Sequence, residues 1–169
     1  MTNDMEKKTG LPRGYRNNNP LNIRRTQYAH LWKGVKPLRE HTDKEFLQFK
    51  EMAYGFRAAF CVLRTYIGDY KLKTIDAILR RWAPENENDT EGYIRLVAHL
   101  TRLDVHYPLD WDYKAHMVPL VRAMATVENG IAPVVYEQDI EEGWRLFMED
   151  KAGMVPSDES GSRWEGGAK

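Results

Sequence analysis

The sequence contains a single cysteine, which excludes a disulfide bond within the chain. Cys61 lies in an apolar run, Phe60 to Leu63, so we expect a small buried hydrophobic residue there rather than a nucleophile or a metal ligand. No segment approaches the roughly 20 consecutive apolar residues that a membrane-spanning helix needs. The N-terminal residues also lack the apolar region of a secretory signal peptide. We therefore expect a protein that is made in the cytoplasm and has no membrane span.

The sequence also lacks an excess of charge of either sign, with 25 Lys and Arg residues against 25 Asp and Glu residues. A chain of zero net charge has no overall field that attracts nucleic acid, and no nucleic-acid-binding motif is present, so the composition argues against that partner. The five histidines do not follow the spacing of metal ligands, and no CxxC pair or glycine-rich phosphate loop occurs. We predict no metal and no other cofactor.

Polar segments with glycine lie at both ends of the chain. Residues 1–12 and 151–169 contain too few apolar side chains to offset the entropy of becoming ordered. The sequence therefore predicts a flexible N-terminus at 1–12, a single domain at 13–150 and a flexible tail at 151–169.

A helical period runs through most of the chain after residue 50. It predicts a helix over 51–67, a short helix after Thr74, a helix capped by Asp89 or Thr90, a helix that stops at Asn129-Gly130, and a last helix from Glu137 to Glu149. The side chains expected to face the core are Met52, Phe56, Phe60, Leu63 and Ile67; Ile75, Ile78, Leu79 and Trp82; Tyr93, Leu96, Val97 and Leu100; Met117, Leu120, Val121, Met124 and Val127; and Ile140, Trp144 and Phe147.

The region from residue 13 to residue 50 has no sustained helical period. It contains the turn signal Asn17-Asn18-Asn19-Pro20, followed by short extended candidates at 21–25 and 45–49, although Phe46 and Phe49 do not alternate strictly. The expected fold class is mostly α (α+β), a helical domain with a small strand and loop region near the N-terminus.

Amide and arginine side chains concentrate in the run RGYRNNNPLNIR at 13–24. Four asparagines within six residues offer paired donors and acceptors that suit sugar hydroxyls and N-acetyl groups. The same asparagines could instead close turns and cap neighbouring elements. The sequence leaves both interpretations open.

Glu128 lies at the end of an apolar helix, directly after Val127 and beside the buried stripe. Partial burial and the C-terminal end of the helix dipole both disfavour a charged carboxylate, so the sequence predicts a raised pKa, as a general acid needs. The alternative is an ordinary solvent-facing glutamate near a helix end.

A third candidate is the loop RWAPENENDT at 81–90, together with Tyr93. Trp82 and Tyr93 could stack on sugar rings, and Asn86 or Asn88 could bind hydroxyl groups. In the alternative interpretation, Trp82 packs in the core and Asn88 or Asp89 caps the next helix.

Taken together, these motifs resemble a family of phage and prophage virion structural proteins. The resemblance covers about residues 13 to 145, and it implies a virion location and contact with other virion proteins. Leu21 stands where that family commonly has glycine, and residues 25–42 follow a sequence of their own. The matching runs are RGYRNNNPLNIR at 13–24, WKG at 32–34, FLQF at 46–49, YGFRA at 54–58, RRWAPENENDTEGYI at 80–94 and VENG at 127–130.

A looser similarity links the chain to bacterial glucosaminidases and related lysozyme-like enzymes, which cut the glycan of peptidoglycan. It rests on the order of Asn22-Ile23-Arg24, a Trp-x-Gly, a Phe-x-x-Phe, Gly55-Phe56-Arg57 and Tyr93. Those enzymes carry their acid on a helix that precedes the asparagine loop, whereas Glu128 follows it here. The similarity therefore implies a lysozyme-like domain that is circularly permuted, which close chain ends permit.

The implied function is a virion-associated glycosidase that acts on peptidoglycan strands at the bacterial cell wall, with Glu128 as general acid. The alternative is a non-catalytic virion structural or glycan-binding protein on the same scaffold. Candidate second carboxylates are Asp43, Glu45 and Asp89. Candidate substrate-binding residues are Tyr15, Arg16, Asn17, Asn18, Asn19, Asn22, Arg24, Trp82, Asn86, Asn88 and Tyr93.

Overall fold

Helices dominate the computed structural model, which describes residues 10–150. The predicted C-terminal tail at 151–169 and residues 1–9 of the predicted N-terminal tail lie outside this range. Between residues 10 and 150 the helices are α1 Arg13–Arg16, α2 Met52–Arg64, α3 Ile75–Trp82, α4 Thr90–Thr101, α5 Lys114–Asn129 and α6 Glu137–Glu149. A π-helical turn at Thr65–Asp69 continues α2, and short 3-10 turns occupy Ala29–Leu31, Leu38–Glu40 and Val134–Tyr136. The prediction of a mostly helical protein is confirmed.

The helix ends follow the local signals in the sequence. The Thr74 side chain accepts a hydrogen bond from the backbone amide of Ala77 at 3.1 Å, and Asp89 accepts one from Gly92 at 3.0 Å. Gly130 ends α5 with a φ of 74°, a left-handed conformation that glycine adopts without steric cost. Both predicted caps and the predicted stop are confirmed.

The core lies mainly between α2 and α6, the two helices with the most extensive mutual contact. The predicted stripe of α2 is buried, and its Phe60 ring packs edge-on against Trp144 of α6 with centroids 5.1 Å apart. Phe147 joins the same cluster at 5.9 Å from Phe60. On the other side, α4 packs against both α3 and α5. Cys61 is fully buried in α2, as predicted, and burial raises the pKa of its thiol to about 11.

The predicted inner face of α4 was wrong in part. Leu96 and Leu100 are 41% and 44% exposed, whereas Tyr93, Ile94 and Val97 are buried. The neighbouring helices α3 and α5 pack against α4, and within residues 10–150 the two leucines remain partly open to solvent. The sequence shows that α4 has an apolar stripe, but it does not show which residues of that stripe a neighbouring helix covers. Val127 of α5, also expected in the core, is only half-buried.

The two extended candidates near the N-terminus pair with each other, but only through an isolated antiparallel bridge between Arg24 and Phe46. The amide of Leu47 donates to the Ile23 carbonyl at 2.9 Å beside it. Three residues further on, Phe49 forms its bridge with Val35 instead. A regular strand does not form because the segment at 45–49 pairs first with Arg24 and then, three residues later, with Val35.

No helix between residues 10 and 150 combines the length and the apolar character that crossing a bilayer requires.

Matched leucine substitutions test the assignment of the α4 face. We expect Leu79→Ala, at a fully buried position of α3, to destabilise the protein by about 2–5 kcal/mol, because it leaves a cavity. Leu96→Ala should change stability by less than about 0.5 kcal/mol, since the side chain is already largely in water. Urea unfolding at constant m value measures both. An equal loss in the two variants would contradict the observed burial.

Candidate active site

The asparagine loop, residues 17–24, has an irregular backbone that suits asparagine. Asn18 and Asn22 adopt positive φ values of 51° and 53°. Among residues with a side chain, asparagine enters this left-handed region most readily, because its short amide tolerates the conformation. The turn signal in the sequence therefore has a direct structural basis.

Three of the four asparagines hold this loop in place. The Asn19 amide nitrogen donates to the carbonyls of Ile23 and Leu47, at 3.0 and 2.9 Å, and its oxygen accepts from the Ile23 amide. Asn18 donates to the Phe49 carbonyl at 3.1 Å, and Asn17 donates to Asp43 at 2.9 Å. All three side chains are buried. These amides thus stabilise the loop, and their predicted contact with a sugar stays a prediction.

The fourth asparagine reaches the predicted acid. The Asn22 side chain donates from Nδ2 to Oε1 of Glu128 at 3.1 Å, across 106 positions of sequence. The other carboxylate oxygen, Oε2, accepts from the Tyr93 hydroxyl at 3.0 Å and from the Trp82 indole nitrogen at 3.3 Å. We call Asn22, Trp82, Tyr93 and Glu128 the Glu128 cluster. Sequence analysis singled out all four residues, and the fold brings them into direct contact.

Four separate elements supply the Glu128 cluster. Trp82 is the last residue of α3, Tyr93 lies in the first turn of α4, Glu128 in the last turn of α5, and Asn22 in the asparagine loop. Trp82 is fully buried and yet donates to Glu128, so packing in the core does not exclude a role at the site. Burial, together with the charge and hydrogen bond of Glu128, raises the pKa of Tyr93 well above its usual value. Tyr93 therefore remains a protonated donor at neutral pH.

The environment of Glu128 contains opposing electrostatic effects. Its side chain is half-buried at the C-terminal end of α5, which disfavours a negative charge. Three neutral donors point at the same carboxylate, which favours the negative charge. The half-buried position agrees with the sequence analysis, and the raised pKa of Glu128 stays a prediction.

The candidate second carboxylates have other partners. Asp43 forms a bidentate ion pair with Arg13, at 2.7 and 2.8 Å, and accepts from the backbone amides of Glu45 and Phe46. Burial acts to raise the pKa of Asp43, but the hydrogen bonds from Arg13, Phe46, Asn17 and Glu45 outweigh it and hold the pKa well below its usual range. The donors to Glu128 described above are Asn22, Trp82 and Tyr93, so Asp43, Glu45 and Asp89 do not take part in those three hydrogen bonds.

The remaining two candidates are placed differently. Asp89 caps α4, and the Glu45 side chain is 59% exposed and 3.8 Å from Arg13. A catalytic role for any of the three stays a prediction.

The other predicted substrate-binding residues occupy different environments. The Tyr15 ring is buried, its hydroxyl donates to the Ile131 carbonyl at 2.8 Å, and burial raises its pKa. Arg24 lies over the Phe46 ring, and Asn88 donates to the Pro84 carbonyl at 3.1 Å. Arg16 and Asn86 are exposed.

Comparison with known proteins identifies a relative in a phage. Over 128 residues the chain is 42% identical to Protein P5 of Pseudoalteromonas phage PM2, a match that covers 75% of this chain and 76% of that protein. The chain belongs to the family of Protein P5. No model of a known protein family matches the sequence. The predicted membership of a phage protein family is confirmed. The relationship to lysozyme-like enzymes stays a prediction.

Sequence analysis of this P5-family chain missed two residues beside the site. The sequence analysis interpreted Asn129 only as part of the end of α5, and it assigned no function to Gly14. In the structure Asn129 is buried and donates to the carbonyls of Pro20 and Ala125, both at 2.9 Å. The position of Asn129 directly after Glu128 is the sequence feature that indicates a role at the site.

Between residues 10 and 150, no group of three or more His, Cys, Asp or Glu side chains could hold a metal ion.

Removing the charge of Asp43 tests the ion pair that supports the loop. Because the pKa of Asp43 is lowered in the folded protein, its interactions stabilise the fold above the unfolded pKa of about 3.9 and are lost as the pH falls through the folded value. We expect Asp43→Asn to be about 1–3 kcal/mol less stable than wild type near neutral pH. The difference should shrink below about pH 4.

Urea unfolding between about pH 7 and pH 3 measures this difference. Glu45→Gln is the control, and we expect it to change stability by less than about 0.5 kcal/mol because the side chain is exposed. A deficit of Asp43→Asn that stays constant across the range would show that the charge of Asp43 does not stabilise the fold.

Proposed function

We propose that this phage protein is a virion-associated enzyme that cleaves the glycan of peptidoglycan, with Glu128 as general acid. The observation that carries the proposal is the Glu128 cluster, in which three donors from separate elements hold one half-buried carboxyl group. A catalytic carboxyl group needs a fixed position, and three donors provide one. The phage relative supports a role in the virion.

The cluster suits proton transfer to a leaving group. Protonated Glu128 would donate its proton to the glycosidic oxygen while the bond from that oxygen to the sugar C1 breaks. The carboxylate that remains gains negative charge during this step. Asn22, Trp82 and Tyr93 stabilise that charge from fixed positions, without having to reorganise.

The nucleophile in this proposal comes from the substrate. Either the N-acetyl oxygen attacks C1, or the sugar 6-hydroxyl closes an anhydro ring and returns its proton to the Glu128 carboxylate. Both routes need one enzymic carboxyl group. This fits the site, since Asp43 is paired with Arg13 and Asp89 caps α4.

We also propose a lysozyme-like domain of permuted order. The contact between Asn22 and Glu128 supports it, because permutation requires the asparagine loop and the acid-bearing helix to meet although the acid now follows the loop. Of the predicted glycan ligands, Arg16 and Asn86 have exposed side chains that a polymer can reach without rearrangement. Asn17, Asn18 and Asn19 would act by holding the loop.

Replacing Glu128 by glutamine tests the catalytic role. Glutamine keeps the size of the side chain but cannot donate the catalytic proton, so we expect cell-wall degradation to fall by about 100-fold or more. A zymogram and turbidity loss of purified cell walls measure the activity, and circular dichroism verifies the fold. Glu141→Gln, an exposed change on α6, is the control that should keep full activity. Equal activity of Glu128→Gln and wild type would contradict the proposal.

Removing the Tyr93 hydroxyl tests whether the donors tune the acid. In Tyr93→Phe the carboxylate loses one stabilising donor, so Glu128 should hold its proton to higher pH. We expect a rate about tenfold lower, with the alkaline limb of the pH–rate profile moved to higher pH. Tyr107→Phe, which removes an exposed hydroxyl, should leave the profile unchanged. An unshifted profile in Tyr93→Phe would speak against Glu128 as the titrating acid.

A second candidate is a non-catalytic virion structural or glycan-binding protein. It is favoured by the internal use of the loop amides, since Asn17, Asn18 and Asn19 all bond within the protein. This candidate predicts that wild type sediments with purified peptidoglycan but releases no sugars from it. Mass spectrometry of the soluble fraction separates the two candidates, and a product lighter by one water identifies anhydro-ring closure.

A further inference from the structure

Two buried side-chain oxygens at the Glu128 cluster have no hydrogen-bond partner among residues 10–150: Oδ1 of Asn22 and Oδ1 of Asn129. Both residues are more than nine-tenths buried. A buried acceptor without a donor costs stability, so the arrangement calls for a reason. Both oxygens lie next to the same residue, Gly14 of α1.

We propose that Asn129 and Gly14 are positioning residues that fix the Asn22 amide against the Glu128 carboxylate. This inference rests on the proposed function for its catalytic meaning. Its structural part, the orientation of Asn22 towards Glu128, can be measured whether or not the protein is an enzyme.

Asn129 connects the asparagine loop to the helix that carries Glu128. Its Nδ2 donates to the Ala125 carbonyl within α5 and to the Pro20 carbonyl in the loop, both at 2.9 Å. Pro20 lies two residues before Asn22, and Glu128 directly precedes Asn129. The bond from Asn129 to Pro20 therefore fixes the separation of the two groups that form the contact between Asn22 and Glu128. With both hydrogens of its Nδ2 used, the Asn129 oxygen turns towards Gly14.

The orientation of the Asn22 amide follows from its hydrogen bond to Glu128. Its Nδ2 donates to Oε1 of Glu128, so its Oδ1 points away from the carboxylate and lies beside Gly14. The opposite orientation would place two electron-rich oxygens against each other. The unpaired Oδ1 is thus the consequence of directing the donor at Glu128.

Gly14 provides the space that both oxygens need. A Cβ atom at this position would overlap Oδ1 of Asn129 and would lie 3.0 Å from the Asn19 carbonyl oxygen and 3.1 Å from Oδ1 of Asn22. Only the Cα hydrogens of glycine fit there, where they can form weak C–H···O contacts. Any larger residue would displace the two amides.

The experiment follows Glu128 through the indole N–H of Trp82, which donates to the same carboxylate. The 1H–15N signal of Trp82 is assigned by its loss in Trp82→Phe, and its pH titration is attributed to Glu128 by its disappearance in Glu128→Gln. We expect Asn22→Ala, Asn129→Ala and Gly14→Ala each to move the titration midpoint to higher pH, because the carboxylate loses the Asn22 donor. Gly68→Ala, where a Cβ would meet only the edge of the Trp111 ring, is the control without a shift.

The double variant Asn22→Ala with Asn129→Ala separates positioning from general support of the fold. If Asn129 acts through Asn22, the double variant has the midpoint of Asn22→Ala alone. On cell walls, Asn129→Ala should lower kcat by about tenfold or more with little change in KM. Gly14→Ala gives an independent test should Asn129→Ala fail to fold.

An unchanged Trp82 titration in folded Asn129→Ala or Gly14→Ala would overturn the positioning role, and so would full additivity in the double variant. Failure of wild type to degrade cell walls would instead overturn the proposed function. The titration would then still support or overturn the positioning of Asn22 by Asn129.

Discussion

The hydrogen bond from Asn22 to Glu128 is the interaction on which the arrangement of the site depends. It joins an irregular loop to the end of a long helix across 106 positions of sequence. Asn129 reinforces the same junction by donating to Pro20. Without Asn22, Oε1 of the carboxylate would lose this donor, while Oε2 would keep the donors from α3 and α4.

Buried amide side chains form hydrogen bonds to backbone groups that regular strands would pair in other small domains. Asn18 donates to the backbone carbonyl of Phe49 and Asn19 to that of Leu47, so side chains satisfy groups that a sheet would pair. Such a network fixes one backbone path, because each amide must keep specific partners to avoid an unpaired buried group. The Arg13–Asp43 ion pair extends the network through Asn17. A rigid loop of this kind can hold Asn22 in an unusual backbone conformation, with a φ of 53°.

Within residues 10–150, the Glu128 cluster combines one carboxyl group with three neutral donors. In the proposed reaction these donors would stabilise the carboxylate that is left after proton transfer. The chain belongs to the family of Protein P5 from phage PM2, which agrees with a role in the virion. The exposed side chains of Val134 and Val135, just beyond α5, add an apolar surface close to the same helix end.

The five helices after residue 50, the caps at Thr74 and Asp89 and the four residues of the Glu128 cluster could be predicted from the sequence, whereas helix α1 could not. Helical periodicity and capping at Thr74, Asp89 and Gly130 are local effects, so they can be predicted without knowledge of neighbours. Three features became known only from the folded chain: Leu96 and Leu100 face solvent, the extended segments form isolated bridges, and Asn17, Asn18 and Asn19 bond internally. The same holds for the roles of Gly14 and Asn129. These outcomes depend on which surfaces meet across long stretches of chain, and a sequence pattern records the character of a surface but not the partner that covers it.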